Sequence, residues 1–394
     1  MGDDACTRKS GVAVAMYPML TIAFIDDGIS PEFVPEDIPF ENIVANEDGV
    51  QPGDTEHVVS HGTMCYQIFK NNVNVPYRLI SIKALDNTVG TGNHKALLAA
   101  LDWCAGQDID IINMSMGTRQ YTDFAPIASA ISRLSNTVII AACSNQNELT
   151  FPACLPTVIG VRHCGCEGLW GKYAFAHNPY DQIDVMTCVK EMPISFGNGH
   201  VVNLSGTNSF AAPLISARIC DYIAQGCRGL NAIRQRLCED AVTDTALDYS
   251  FYKGLLGRWE TLTIPIVGVV DDGSTLTKLM PLIAEFVDNG YRAIALTTTK
   301  KTSAADFVYR LEWYGAEQVD ISDLINMYYN FALPDIIFLH MGLDDLAALP
   351  HEVMADVVLK PTDINGSVYT HWDKKFVLDI DNEDLLNNIE KLLA

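Results

Sequence analysis

The feature that most constrains this chain is an alternation of short runs rich in apolar residues with segments of helical periodicity. The runs lie at residues 20–25, 78–83, 109–113, 137–142 and 158–161, and helix-period segments at 94–104 and 124–134 separate several of them. Short strands that are apolar on both faces are typical of parallel sheets, because helices cover both sides of such sheets. The sequence therefore predicts an α/β fold, with a parallel sheet and helices on both faces.

The chain is long enough for two domains, and three features place the join near residue 250. It has 394 residues, and its 11 cysteines all precede residue 240. Residues 261–394 carry 9 Lys and Arg against 21 Asp and Glu, which makes this part the more acidic one. Residues 248–260 fit neither helical nor strand periodicity. We predict an N-terminal extension at 1–17, a first domain at 18–250 and a second, smaller α/β domain at 261–394.

Charge and hydropathy exclude several classes of function. The formal net charge is −23 at pH 7, and affinity for nucleic acid or anionic membranes depends on Lys and Arg. No apolar run reaches the roughly 18 residues that a membrane helix needs. The N-terminus lacks the basic and apolar segments of a secretory signal, and the cysteines show no disulfide-framework spacing. We predict a cytoplasmic protein with reduced thiols that binds neither nucleic acid nor membrane.

Four polar side chains stand where active sites of parallel sheets form, just beyond strand ends or at helix starts. Asp26 follows the first apolar run, and His61 opens a probable helix. Asn145 follows the fourth run, and Ser209 precedes a helix at 214–222. These residue types suit acyl transfer, which needs a nucleophile, a base, a carboxylate that holds the base and a donor for the oxyanion.

The local sequences around these positions resemble the motifs of the subtilisin-like serine peptidases (subtilases). The resemblance covers roughly residues 18–245, and the matching segments follow that family's order. They are Ile25-Asp26-Asp27-Gly28, His61-Gly62-Thr63, Ile112-Asn113-Met114-Ser115-Met116-Gly117, Ala141-Ala142-Cys143-Ser144-Asn145 and Ser209-Phe210-Ala211-Ala212-Pro213.

The resemblance implies a role for each residue. Ser209 would attack the scissile carbonyl, His61 would act as base and then acid, and Asp26 would orient His61. Asn145 and the backbone N–H of Ser209 would hold the oxyanion. The residues implied to pair with the substrate backbone are Ser115, Met116 and Gly117. A peptide or protein substrate is the expected partner, and we predict no cofactor and no metal.

The chain departs from the family pattern at three positions. Asn208 stands directly before Ser209, where the family reads Gly-Thr-Ser, so either one residue is inserted or the glycine is displaced. Ser144 stands where glycine commonly precedes the oxyanion asparagine, which predicts a narrower pocket, and Met64 replaces a frequent second histidine as neutral packing. None of these changes removes a catalytic atom, but a distorted turn at Asn208 would leave a binding-only pseudo-peptidase.

Two neighbours of the expected triad have competing interpretations. Asp27 rivals Asp26, but only Asp26 has glycine two residues on, as the family motif requires. Cys65 lies four residues after His61 and shares its helical face. Some family members with a free cysteine there are mercurial-sensitive, and we interpret Cys65 as a buried packing thiol rather than a redox switch.

Metal sites receive little support from the sequence. His163, Cys164 and Cys166 are zinc-ligand types, but no second pair at zinc spacing accompanies them. No clustered carboxylate loop suits calcium.

In the last third of the chain, the sequence predicts strands at 263–270, 291–296, 335–339 and 355–359. It also predicts one helix that ends at residue 288 and three more at 304–314, 324–331 and 382–393. Its first turn resembles a degenerate P-loop, with Gly268 and Gly273-Ser274-Thr275 but no lysine. Asp271 and Asp272 stand where phosphates would lie. These features argue against ATP and favour peptide or partner binding.

The substrate hypothesis is a ribosomally made precursor peptide whose leader is removed. The catalytic motifs begin about 20 residues into the chain, which leaves no room for a folding propeptide, and a cytoplasmic peptidase needs restricted substrates. The predicted strand–loop–helix unit followed by Gly290-Tyr-Arg-Ala-Ile also resembles a domain of peptide-maturation proteins from bacterial natural-product clusters. A general intracellular peptidase and a binding-only pseudo-peptidase are the alternatives.

Overall fold

The computed structural model describes residues 18–53, 59–85, 94–190, 192–195, 201–242, 250–256, 262–315, 318–361, 377–382 and 384–393. The first unit contains a nine-stranded sheet in the order β3-β2-β4-β1-β5-β6-β7-β9-β8 and a separate hairpin, β10-β11. Its strands are β1 Leu20–Asp26, β2 Phe40–Asn46, β3 Gly49–Pro52, β4 Tyr77–Lys83, β5 Ile111–Met114, β6 Val138–Ala142, β7 Ile159–His163, β8 Tyr173–Phe175, β9 Val185–Thr187, β10 Met192–Ser195 and β11 Val201–Leu204.

Strand pairing in the large sheet is parallel except at its two edges, where β2 pairs with β3 and β8 with β9 in antiparallel fashion. The helices of this unit are α1 His61–Lys70, α2 His94–Cys104, α3 Phe124–Ser132, α4 Asn208–Ala224 and α5 Leu230–Asp240. The prediction of a parallel-rich α/β sheet is confirmed.

Alternate residues of each strand enter two different hydrophobic clusters, because side chains of a strand point to opposite faces. In β1, Ile22 and Phe24 pack into the cluster that contains residues of α1 and α4. Ala23 and Ile25 pack into the cluster that contains residues of α2 and α3. Both faces of the sheet are therefore covered by helices, as expected.

The second unit is a six-stranded sheet in the order β14-β13-β15-β12-β16-β17, with every described pairing parallel. Its strands are β12 Ile266–Val270, β13 Ala293–Thr297, β14 Val308–Arg310, β15 Ile336–Met341, β16 Val357–Lys360 and β17 Val377–Asp379. The helix α6 Ser250–Leu256 precedes it, and its own helices are α7 Thr275–Asp288, α8 Ile321–Ala332, α9 Leu343–Ala347 and α10 Leu385–Leu393.

Two local predictions are wrong. The helix expected at 304–314 is a short 3₁₀ turn, Ala304–Asp306, followed by strand β14. Phe307 has a left-handed backbone with φ of 56°, which ends the turn, and β14 then pairs with β13. In the expected irregular join, residues 250–256 form α6, because burial of Tyr252 and Leu255 stabilises a helix that the local sequence does not signal.

The two units share one continuous hydrophobic cluster. Phe307 of the second unit packs against Tyr121, Phe124 and Phe151 of the first, with ring centroids 4.8, 4.7 and 6.0 Å apart. The Tyr121 hydroxyl donates to the carbonyl of Ala332 at 3.0 Å. The second unit therefore packs on the face of the large sheet that carries α2 and α3.

The structure gives the P-loop resemblance of the second unit no support. The Asp272 carboxylate accepts hydrogen bonds from the backbone N–H groups of Ser274 at 2.8 Å and Thr275 at 3.0 Å. Asp271 accepts from the N–H of Gly273 at 2.7 Å. These are the amides that would face a phosphate at a helix N-terminus, and the chain's own carboxylates already use them.

Among the described helices, none combines the length and apolar character needed to cross a bilayer.

Candidate active site

The expected site residues come together at the carboxyl edge of the large sheet. Asp26 is the last residue of β1, and Ser115 directly follows β5. Asn145 lies three residues beyond β6. His61 opens α1, and Ser209 is the second residue of α4. Parallel strands and helix starts meet at this edge, so residues far apart in sequence become neighbours.

Asp26, His61 and Ser209 form a continuous hydrogen-bonded line. The Asp26 carboxylate lies 2.9 and 3.0 Å from Nδ1 of His61 through its two oxygens. Nε2 of His61 lies 2.9 Å from Oγ of Ser209. The Asp26 side chain is buried, and His61 is half-buried. This places a carboxylate on one ring nitrogen and a hydroxyl on the other, which is the geometry that proton transfer from the serine requires.

Asp27 has a different task from Asp26. Its carboxylate oxygens accept from the backbone N–H of His61 at 3.0 Å and of Gly62 at 2.6 Å. The Ser60 hydroxyl caps the same helix by accepting from the N–H of Thr63 at 3.0 Å. Asp27 thus satisfies amides at the start of α1, and Asp26 is the aspartate that reaches the imidazole.

Opposing effects act on the His61 imidazole. Burial disfavours its charged form, but Cys65 and Asp26 favour it, and the net result is a pKa above the ordinary 6.5. Burial also raises the pKa of the Cys65 thiol, so this thiol is neutral near pH 7. The Asp26 carboxylate is then the charge that remains beside His61 and holds its pKa up.

The nucleophile turn accommodates Asn208 without moving Ser209 away from His61. Thr207 is the N-cap of α4 with an extended backbone, and its hydroxyl lies 3.0 Å from Oγ of Ser209. Asn208 is the first residue of the helix, and 4% of it is exposed. The distances from His61 to Asp26 and to Ser209 therefore stay within hydrogen-bonding range.

Asn145 lies on the exposed segment that follows β6, next to the start of α4. Its Oδ1 accepts from the backbone N–H of Asn208 at 3.0 Å, which leaves its amide nitrogen as a donor. Ser144 forms part of the same segment, with its hydroxyl accepting from the N–H of Glu148 at 3.1 Å. Its side chain is therefore engaged within the loop.

The segment 115–117 runs beside the loop that follows Asn145. Oγ of Ser115 accepts from Nδ2 of Asn113 at 3.1 Å. Thr118 and Phe151 form an antiparallel bridge, and a Cβ at Gly117 would lie 2.7 Å from the Phe151 carbonyl. Met116 is half-buried and Gly117 is exposed, so this strand end borders the surface near the site.

Cys65 lies beneath the triad. Its sulfur is 3.8 and 3.9 Å from the two ring nitrogens of His61 and donates to the Ser209 carbonyl at 3.7 Å. Met64, the neighbouring departure, packs half-buried against the adjacent core cluster.

One compact group of possible metal-ligating side chains occurs among the described residues, and it consists of Asp26, His61 and Cys65. A metal there would occupy the His61 nitrogens that the triad uses, so the group suits catalysis or metal binding but not both. The His163, Cys164 and Cys166 cluster is not such a group in the described part of the chain. Nδ1 of His163 instead accepts from the N–H of Val189 at 3.1 Å.

Sequence reasoning missed two contacts with the triad. The ring of Phe210 stacks on His61 with centroids 5.3 Å apart and planes 20° from parallel. The Thr207 hydroxyl reaches Ser209, as described above. Both residues flank Ser209 in sequence, so their proximity could have been expected, but the stacking depends on where α1 lies.

The chain is similar in sequence to subtilisins. It is 26% identical to subtilisin DY of Bacillus licheniformis over 183 residues, which cover 45% of this chain and 64% of that protein. It is 25% identical to subtilisin E of Bacillus subtilis (strain 168) over 185 residues, covering 45% of this chain and 46% of that protein. The match thus spans less than two thirds of either relative. No protein-family model matches the chain.

Several solved structures are also similar. The prenylagaramide maturation protease PagA aligns with 60% of this chain and 87% of its own, at 21% identity and a TM-score of 0.44. A cold-adapted subtilisin-like serine proteinase aligns with 57% of this chain and 85% of its own, at 20% identity and a TM-score of 0.43. A lanthipeptide protease aligns with 61% of this chain and 81% of its own, at 14% identity and a TM-score of 0.41.

Proposed function

We propose that this chain is a serine endopeptidase in which Ser209 is the nucleophile, His61 the general base and acid, and Asp26 the residue that orients His61. The observation that carries the proposal is the hydrogen-bonded line from Asp26 through His61 to Ser209. Sequence similarity to subtilisins over 183 aligned residues supports the same reaction class.

The reaction begins when Oγ of Ser209 attacks the scissile carbonyl and its proton passes to Nε2 of His61. The imidazolium that forms is stabilised by the Asp26 carboxylate on Nδ1. His61 then gives the proton to the leaving amine, the C–N bond breaks, and an acyl ester remains on Ser209. Water, deprotonated by the same histidine, hydrolyses the ester and restores Ser209.

The negative charge of the tetrahedral intermediate needs preorganised donors. Nδ2 of Asn145 and the N–H of Ser209 are the groups we assign to it. The first amides of a helix lack intrahelical acceptors, and the helix dipole adds positive potential there. We expect Asn145→Ala to lower kcat by about 10²- to 10³-fold, which is the usual cost of removing one oxyanion donor.

We further propose that Ser115, Met116 and Gly117 form the edge to which the substrate backbone is added as a strand. The segment lies outside a regular strand and directly follows β5. The segment leaves the sheet beside Asp26, because Met114 at the end of β5 pairs with Ile25 of β1.

For the substrate we propose a specific precursor peptide with a basic or amphipathic leader, rather than unfolded proteins in general. The net charge of −23 favours encounter with basic segments, and residues 261–394 are the more acidic part. A general peptidase is the alternative.

The first test is labelling with a fluorophosphonate, followed by intact mass measurement. Oγ of Ser209 would form a P–O bond as the P–F bond breaks. We expect one adduct on the wild type, one on Ser132→Ala, which changes an exposed serine of α3, and none on Ser209→Ala. A folded wild-type protein without an adduct would contradict the proposed function.

The second test addresses the substrate. Purified protein is given a panel of precursor peptides with basic leaders, the same peptides with neutralised leaders, and an unfolded casein. We expect cleavage at one site, with kcat/KM falling when the leader is neutralised and rising at low salt. Equal cleavage of all three substrates would favour the general peptidase.

A further inference from the structure

We infer that Asn208, the residue that interrupts the expected Gly-Thr-Ser turn, is a positioning residue that holds the segment 144–147 and thereby aims the Asn145 amide at the oxyanion. The inference rests on the proposed function, because it assigns Asn145 an oxyanion to stabilise. Asn208 does not touch the reacting atoms in this account, and it acts through Asn145.

The Asn208 side chain links three parts of the chain that are distant in sequence. Its Oδ1 accepts from the backbone N–H of His163 at 2.7 Å. Its Nδ2 donates to the carbonyl of Ser144 at 2.5 Å and to Oδ1 of Asn147 at 3.1 Å. Because 4% of Asn208 is exposed, these bonds are shielded from water and have few competitors.

This network determines the orientation of both asparagine amides. Reversing the Asn208 amide would point its NH₂ at the N–H of His163 and its oxygen at two other oxygens, so the donor and acceptor pattern excludes that alternative. Asn145 is held in the same way, since its Oδ1 must face the N–H of Asn208. Its Nδ2, which has no protein partner among the described residues, is thereby left to donate.

An immobilised donor matters because Asn145 lies on an exposed segment outside regular structure. Oxyanion stabilisation depends on donors that need not reorganise when charge develops. Asn147, the second anchor of the segment, has a left-handed backbone with φ of 60°, and its Oδ1 also accepts from Nε of Arg162 at 3.1 Å. The segment is thus tied to α4 through Asn208 and to β7 through Arg162.

Asn208 therefore has a different consequence from the distorted turn expected from the sequence. Oγ of Ser209 lies 2.9 Å from Nε2 of His61, so Asn208 does not move the serine out of hydrogen-bonding distance. The Asn208 side chain instead fills the space between α4, the end of β7 and the Asn145 segment with hydrogen-bonding groups.

The test is a double-mutant cycle on hydrolysis of one peptide substrate, with Asn145→Ala, Asn208→Ala and the double variant. We expect Asn208→Ala to lower kcat by about 10- to 100-fold with KM within about threefold, since only transition-state stabilisation is lost. The double variant should be no slower than Asn145→Ala alone, because both changes remove the same donor. Effects that multiply, or an unchanged kcat in Asn208→Ala, would overturn the inference.

Two further variants separate positioning from general loss of stability. Asn208→Asp is isosteric and keeps the acceptor for His163 but loses both donors, so it should reproduce the loss of kcat in the fraction that folds. Thr137→Val removes the hydroxyl bond to the Ile109 carbonyl at the opposite end of β6, and we expect a lower melting temperature with unchanged kcat. A loss of kcat in Thr137→Val equal to that in Asn208→Asp would overturn the inference.

Labelling by the fluorophosphonate distinguishes this inference from the proposed function. A wild-type protein that is labelled and hydrolyses peptide, with an Asn208→Asp variant of equal kcat, contradicts positioning and leaves the function intact. A folded wild-type protein that is neither labelled nor active contradicts the function and, with it, the positioning.

Discussion

At the scale of single residues, neighbours in the sequence have unrelated tasks because the backbone turns their side chains in different directions. Asp26 faces the imidazole of His61, and Asp27 faces the backbone at the start of α1. The pKa of Asp27 is raised, first by burial and then by the charge of Asp26. The backbone N–H groups of Gly62 and His61 donate to the Asp27 carboxylate and lower its pKa, which partly offsets the increase.

The pH profile of activity should have an acid limb set by His61. The neutral imidazole is the form that takes the proton from Ser209, so activity is lost as the pH falls through the pKa of His61. Because the Asp26 carboxylate holds that pKa above the ordinary 6.5 in spite of burial, we expect the limb in kcat/KM to lie above pH 6.5.

Asp26→Asn should move the acid limb to lower pH, because burial then acts on the pKa of His61 without the opposing carboxylate, and should lower kcat by about 10⁴-fold. Asp48→Asn, in the exposed turn between β2 and β3, should leave the limb in place. The measurement is kcat/KM between pH 5 and 9, and an unshifted limb in Asp26→Asn would show that another group sets it.

Gly62→Ala should damage the site although glycine and alanine differ by one methyl group. A Cβ at this position would lie 2.6 Å from the Gly28 carbonyl and 3.1 Å from the Asp26 Cβ, so β1 and α1 would have to separate. We expect a loss of about 1–3 kcal/mol in unfolding free energy and a fall in kcat of about 10²-fold.

Gly165→Ala is the matched control, since a Cβ there meets nothing within 4 Å. Urea unfolding and initial rates on one peptide give both quantities. If the two alanine variants had equal unfolding free energies and equal kcat, α1 would be able to shift without displacing His61.

At the scale of elements, a buried ion pair connects β7 to helix α6. Arg162 forms a salt bridge with Asp181, both side chains being 3% exposed. The Tyr252 hydroxyl of α6 donates to Asp181 at 2.5 Å, and the Arg162 guanidinium lies 3.7 Å from the centroid of the Phe251 ring. This network extends the Asn147 anchor of the active-site segment toward the second unit.

Asp181→Asn should destabilise the fold by about 3–5 kcal/mol, because it leaves the Arg162 charge buried without a counter-ion. Asp102→Asn breaks an exposed pair with Arg133 and should cost less than about 1 kcal/mol. Both values come from urea unfolding. A similar cost for the two variants would indicate that water reaches Arg162.

At the scale of the whole molecule, the two sheets share one hydrophobic core. A single cluster contains buried residues from both, including Phe151 and Phe307. The Leu149 N–H donates to the Phe331 carbonyl at 2.8 Å, so the second unit also contacts the loop that follows Asn145. The second unit therefore packs against the loop of the first unit that adjoins the candidate active site.

We therefore expect a single unfolding transition for the full chain in calorimetry, with β1 and β12 equally protected in hydrogen exchange. Phe307→Ala should lower the stability of both by about 3–5 kcal/mol. Met354→Ala, which shortens a side chain that is 46% exposed, should change it by about 0.5 kcal/mol or less. Two separate transitions, or a loss confined to β12, would show that the units fold independently.

The sequence by itself predicted the strands at the centre of both sheets, and its resemblance to the subtilases singled out Asp26, His61, Asn145 and Ser209 as candidate site residues. These features are local: apolar runs bounded by turn residues predict buried strands, and a polar residue at a strand end is placed at the sheet edge by the strand itself. The sequence also singled out Asn208, but only as a break in a motif.

Tertiary structure decided what these local features do together. Asn208 binds groups 45 to 64 residues away in the chain, and β14 forms where a helix was expected because β13 supplies a pairing edge. Helix α6 likewise depends on a core that both units build. The physical reason is the same in each case: hydrogen bonds and burial between distant segments outweigh local preferences, and a single sequence does not reveal which segments meet.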